Sequence, residues 1–254
     1  MAETLIMERM QQNLMRLKLS RIQEIYPELL KTAETESWSY LQLLDNLLEE
    51  EVARKEQRRV DTTLKISGLP FTKTIDEFDF AFQPHLDKQM VMNLFELSFI
   101  QRKENVILLG PPGVGKTHLA VSLAIKACQC GQTIYFTTMS DLIDKLQKDR
   151  ENGKSGRGRS YYKSALVVVD EVGYTPITRE ECHLFYQFVA TRYEKASTVI
   201  TSNKAFSEWS ELFHDPVIVT AILDRLLHHS VVVNIKGNSF RLKGKLSDIT
   251  GKED

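Results

Sequence analysis

The chain of 254 residues is 42% hydrophobic and balances 33 lysines and arginines against 34 aspartates and glutamates, for a net charge of −1. That composition supplies a sizeable core and excludes a chain drawn onto nucleic acid by overall charge, so an anionic partner has to be met by a local patch. No apolar run approaches the ~20 residues of a membrane span, Glu3 and Glu8 break up any secretory leader, and Cys128, Cys130 and Cys182 lack zinc-ligand spacing; the expectation is a cytoplasmic protein with reduced thiols and no membrane partner.

In chain order, residues 5–19 place Ile6, Met10, Leu14 and Leu17 at helical spacing. Pro27 marks an expected break or kink. Ser39 and Gln42 fit a capping box. It opens a helix with Leu41, Leu44, Leu48 and Val52 on one side, expected to end in the basic run Arg54, Lys55, Arg58 and Arg59. Those cations suit nucleic-acid phosphates or plain solvent. Gly68-Leu69-Pro70 then punctuates the chain. The boundary expected there separates a helical N-terminal domain, 1–68, from an α/β domain, 69–254. The first is too small to bury a strong core alone, so it is read as a DNA- or partner-binding domain.

Thr74–Phe80 reads as a polar–aromatic linker, and a helix with Met90, Val91, Leu94, Phe95 and Leu97 comes after it. Val106-Ile107-Leu108-Leu109 suits a buried strand. Next comes Gly110-Pro111-Pro112-Gly113-Val114-Gly115-Lys116-Thr117, which meets every fixed position of the phosphate-loop pattern G-x-x-x-x-G-K-[ST]. Leu119, Ala120, Leu123, Ala124 and Ala127 continue at helical spacing. Gly113 and Gly115 let the backbone curl so that N–H groups point at phosphate oxygens, and the helix dipole adds positive charge there. Lys116 can reach the β- and γ-phosphates, and the Thr117 hydroxyl can ligate Mg²⁺. Gly110 to Thr117, with His118 beside them, are the nucleotide-binding candidates, and ATP with Mg²⁺ the expected ligands.

Thr133–Phe136 reads as a second strand, with a helix from about Ser140. Residues 145–163 form a glycine-rich basic stretch including Lys154, Arg157 and Arg159, suited to a phosphate backbone or to solvent. Ala165–Val169 is a β-branched run of the kind buried on both faces, and it leads into Asp170-Glu171. Ligands sit at the C-terminal ends of such strands. Asp170 is therefore expected to hold Mg²⁺ and Glu171 to polarise the attacking water. A helix from Arg179 and a strand Ser197–Asn203 come next. Asn203 can hydrogen-bond the water or the γ-phosphate, or cap the next turn. A helix over 219–227 carries Asp224-Arg225, and Val231–Ile235 is the fifth strand. About twenty residues remain, too few for a helical bundle.

These motifs, in this order, resemble those of an AAA+ ATPase. Val169–Tyr174, Ile222–His229 and Asn238–Leu242 resemble the IstB family in particular, the transposition helper ATPases encoded beside an integrase-type transposase in bacterial insertion sequences. The likeness runs across nearly the whole chain. It implies a phosphate-loop NTPase fold with a five-stranded parallel sheet flanked by helices, a small all-α N-terminal domain and little or no C-terminal lid. It implies Asn203 as the sensor of the γ-phosphate, Arg225 as an arginine finger acting on a neighbouring subunit, and Arg241 as a second sensor. It also implies ATP-dependent homo-oligomers on duplex DNA that recruit or stimulate the cognate transposase. A DnaC-like helicase loader is the alternative with the same engine. A small-molecule kinase would need an acceptor pocket, and a nucleotide-gated scaffold would not need Glu171.

Overall fold

The computed structural model describes residues 2–153, 158–213 and 215–242. It divides into two compact units, Met1–Thr62 and Thr63–Asp254.

The first unit contains α1 (Ala2–Arg16), α2 (Ser20–Thr35) and most of α3 (Tyr40–Ile66). Leu14, Ile22 and Tyr26 form its core, edged by Met10, Leu19 and Leu47. The expected capping box forms: Ser39 N donates to Gln42 Oε1 at 2.8 Å, and Gln42 N to Ser39 Oγ at 3.3 Å. Glu51 of α3 is buried and accepts from the Arg21 and Ile22 amides at 2.8 and 3.0 Å, so one helix caps the start of another. Two expectations need correction. Of the break or kink expected at Pro27, the break does not occur: α2 runs through it to Thr35, since a missing N–H removes one bond from a 16-residue helix. The basic run lies within α3 rather than at its end, because no helix breaker precedes Gly68.

In the second unit, α4 (Lys88–Leu94) and α5 (Ser98–Gln101) precede β1 (Asn105–Leu109). After it come α6 (Lys116–Gln129), β2 (Ile134–Thr138), α7 (Met139–Glu151), α8 (Ser160–Lys163), β3 (Leu166–Val172) and α9 (Arg179–Arg192). The chain continues through β4 (Ser197–Ser202), α10 (Trp209–Leu212), α11 (Pro216–His228) and β5 (Ser230–Asn234). The five strands pair in the order β2-β3-β4-β1-β5, all parallel. Val106 to Leu108 and Leu166 to Val169 are wholly buried, as central strands of a sheet covered by helices must be. Since the strands are parallel, their C-terminal ends share one edge. The sequence after β1, the end of β3 and the residue after β4 meet there.

One buried cation ties the unit together. Arg192, 2% exposed, donates to Thr198 Oγ1 (3.2 Å) and to the carbonyls of Tyr161 (3.3 Å), Tyr162 (3.3 Å), Ser164 (3.0 Å) and Ser197 (2.5 Å). Burial pulls its guanidinium down to about 10. These bonds fasten the end of α9 to the segment entering β3 and to the start of β4. Arg192→Ala leaves several buried carbonyls without a donor. Denaturant unfolding of this variant is expected to show a loss of about 3 kcal/mol; an unchanged midpoint would mean that water replaces the guanidinium at no cost.

Candidate functional site

The loop between β1 and α6 is shaped by two glycines. Gly113 has φ +83 and Gly115 φ +103, backbone that side chains rarely adopt. Space also excludes them: a Cβ at Gly113 would lie 2.0 Å from Ser239 Oγ, and one at Gly115 2.6 Å from the Phe78 ring. The loop therefore lies tightly beneath two other segments. Phe240 N donates to Gly113 O at 2.9 Å. Phe82 and Phe240 meet edge to face at 5.2 Å, and Gln83 Nε2 donates to Asn238 O at 3.2 Å. On α6, His118 Nε2 donates to Thr74 O at 2.9 Å, and the ring packs edgewise on Phe78. His118 thus fastens the segment expected to be a linker. That segment instead forms two 3-10 turns, Ile75–Glu77 and Phe80–Phe82, that roof the site.

A cavity of about 620 Å³ lies under this roof. Phe71, Phe78, Phe82 and Phe240 give it apolar lining, and Lys116, Thr117, Glu171, Asn203 and Arg241 give it polar groups. Pro112 to His118 line it as well. Lys116 Nζ donates to the Gly110 and Pro111 carbonyls at 2.7 and 2.8 Å. Burial lowers the pKa of this amine, the Asp170 charge opposes that, and the Arg241 charge adds to it.

Asp170 is buried at the end of β3. Thr117 Oγ1 donates to its two carboxylate oxygens at 3.0 and 3.1 Å, and Thr201 Oγ1 donates to Oδ1 in a short hydrogen bond. The Thr117 hydroxyl and the Asp170 carboxylate are hard oxygen donors, the kind a small divalent cation takes. Glu171 is exposed at the cavity, with its amide donating to Thr201 Oγ1 at 3.0 Å. Asn203 Oδ1 is buried without a hydrogen-bond partner among the described residues, and its side chain lines the cavity. A buried, unsatisfied amide oxygen facing a cavity is suited to meet a ligand's donor.

The remaining candidates scatter. Arg225 lies on α11 away from this cavity; its Nη1 donates to Ala221 O at 3.0 Å, and its guanidinium covers the Tyr186 ring at 5.0 Å. Arg54, Lys55, Arg58 and Arg59 are exposed on α3, with Arg58 donating to Ser20 Oγ at 2.9 Å. Arg159 is engaged rather than free, as Nη2 meets the buried Asp149 carboxylate at 2.6 Å and Nε at 3.0 Å. Lys154 and Arg157 lie outside the described residues. Sequence reasoning missed Thr201, Gln83 and Ser239 as parts of the site. Its nearest signals were the Thr201-Ser202-Asn203 strand end, the aromatic run at 78–82 and the Asn238–Leu242 segment.

A sequence model of the IstB-like ATP-binding protein family matches residues 12–248. The chain belongs to that family. It is 43% identical over 239 residues to an ATP-binding protein of insertion sequence IS5376 from Geobacillus stearothermophilus, covering 94% of this chain and 95% of that one. It is 46% identical over 233 residues to an ATP-binding protein of insertion sequence IS21 from Pseudomonas aeruginosa, covering 91% and 88%. Among solved structures it is similar to AMPPCP-bound DnaA from Aquifex aeolicus, with a TM-score of 0.55 at 19% identity over 74% of this chain. The chain spans 58% of that DnaA. DnaI is similar with a TM-score of 0.53 at 16% identity, over 64% of this chain and 90% of that one. These likenesses establish the AAA+ fold. Among the described residues, no helix is long and apolar enough to cross a membrane.

The loop geometry generates a test of its own. Gly113→Ala places a methyl against Ser239 at a strained φ, so the loop or its cover has to shift. Calorimetric titration is expected to show ATP affinity at least ~10-fold lower in this variant. Parental affinity would mean that the cover yields freely.

Proposed function

We propose that this chain is an ATPase that assists insertion-sequence transposition. With ATP it assembles as a homo-oligomer on target duplex DNA and recruits or stimulates the cognate transposase. The observation that carries the hydrolytic part is the meeting of Lys116, Thr117, Asp170, Glu171 and Asn203 at one sheet edge. Loop amides and Lys116 hold the phosphates. Thr117 and Asp170 would hold Mg²⁺, which would supply charge neutralisation to the phosphates. Glu171 accepts a hydrogen bond from the attacking water and draws off its proton. Asn203 orients the water or the γ-phosphate, and Arg241, at the same cavity, adds positive charge. Relatives named for insertion sequences at 43% and 46% identity favour this client over a replicative helicase.

Glu171→Gln keeps the groups that bind ATP and loses the carboxylate, so it is expected to bind ATP, turn over poorly and hold a long-lived DNA complex. In that trapped state, exchanging Arg54, Lys55, Arg58 and Arg59 for glutamine tests the DNA surface. The slope of log affinity against log salt is expected to fall by roughly 0.9 for each lost phosphate contact, with all duplex sequences weakened alike. Unchanged affinity and slope would remove α3 from the DNA interface.

Arg225 lies outside its own cavity, as a residue acting on a neighbour's ATP must. A finger of this kind contributes about 10³–10⁵ in turnover. Arg225→Ala is therefore expected to fold, bind ATP and hydrolyse it poorly, while Lys116→Ala has an intact finger and a disabled site. Mixing the two inactive proteins is expected to restore part of the activity. Mixed oligomers that stay inactive would refute a trans role for Arg225.

A further inference from the structure

β3 does not run straight into its acidic end. Val169 pairs with Ile200 and Val172 with Ser202, so β3 uses one more residue than β4 over the same stretch. That is a bulge. Glu171 sits within it at φ +60, left-handed backbone where glycine is the usual occupant and a long side chain is under strain. Opposite the bulge stands Thr201, 1% exposed. Its hydroxyl accepts from the Glu171 amide at 3.0 Å and donates to Asp170 Oδ1. A hydroxyl has one proton and two lone pairs, so both bonds form together and their directions are fixed.

We infer that Thr201 is a positioning residue for ATP hydrolysis, stapling the bulge that holds Glu171 in its left-handed conformation and tying that glutamate's backbone to Asp170. The inference rests on the ATPase reading and adds to it a residue at the cavity wall whose hydroxyl is engaged by the Glu171 amide and the Asp170 carboxylate. Its physical basis is strand alternation. Neighbouring residues on a regular strand face opposite sides of the sheet, and a one-residue slip reverses them. The bulge instead leaves Asp170 buried beside Thr117 while Glu171 reaches the cavity. Without the Thr201 hydroxyl, the Glu171 amide loses its acceptor and the strained backbone loses what opposes its relaxation. The staple also lies two residues before Asn203, whose unpartnered oxygen lines the same cavity.

Thr201→Val keeps the shape and removes the hydroxyl. The expected result is kcat about 10²-fold lower, with the dissociation constant for ATP within about threefold of the parent. Thr201→Ser retains the hydroxyl and is expected to recover most of the turnover, a rescue that loss of packing alone would not give. If Thr201→Val does not fold, Thr201→Ala and Thr201→Ser are compared instead, with thermal unfolding confirming both. Three outcomes overturn the proposal: parental kcat in the valine or alanine variant, a serine variant as impaired as alanine, or a loss confined to ATP affinity. Glu171→Gln separates this idea from its parent. An inactive parent chain ends the ATPase reading and this inference with it, whereas a fully active Glu171→Gln enzyme leaves the ATPase reading standing and ends the role of Glu171 together with this inference. An inactive Glu171→Gln beside a fully active Thr201→Val ends this inference alone.

Discussion

One buried carboxylate joins the segments on which the site depends. Asp170 belongs to β3, Thr117 to the helix after the phosphate loop, and Thr201 to β4, and both hydroxyls donate to it. A carboxylate removed from water is tolerated only when hydrogen-bonded. Each of these bonds therefore fixes geometry as well as satisfying a group. Because β4 lies between β3 and β1, the loop leaving β1 cannot shift toward β3 without disturbing the strand between them. The metal-ligand candidates and the water-polarising candidate are held in one frame for the same reason.

A second constraint is steric. Gly113 and Gly115 permit the loop's backbone and also make room for Ser239 and Phe78. The phosphate-loop pattern thus encodes more than an anion cradle, since its glycines admit the covering segments from either side in sequence. Those segments supply the aromatic lining, while loop and sheet edge supply the polar groups. This division suits a ligand with a flat apolar end and a charged end.

Much of this is legible in the sequence where signals are local. The phosphate loop, the apolar runs of β1 and β3, the Ser39 cap and the start of α9 at Arg179 depend on neighbours a few residues apart, and all appear where the sequence places them. The rest depends on distant partners. No periodicity announces that Thr201 faces a bulge at Glu171, or that Phe240 reaches Gly113. Arg159 illustrates the same limit: its neighbours suggest a free cation, while the fold brings the buried Asp149 to it. Pro27 shows the limit of a local signal, since α2 continues through it to Thr35 with one backbone donor fewer. Asn203 stands out in the sequence only as a polar end to an apolar strand, and its unpartnered oxygen needs three dimensions to be seen.

The strand order has a consequence for how the protein is made. β1 lies between β4 and β5, so the strand bearing the phosphate loop gains its last neighbour only when residues 230–234 arrive. The amide of Phe240 then closes over Gly113. Such long-range pairing is slow, because chain entropy has to be lost before the contacts form. On the ribosome, the loop would emerge well before its cover, since four of the five strands follow it in the chain. Closure of the cavity is thereby deferred until residues 230–240 have been made, and a product truncated before them would lack both the last neighbour of β1 and the cover over Gly113.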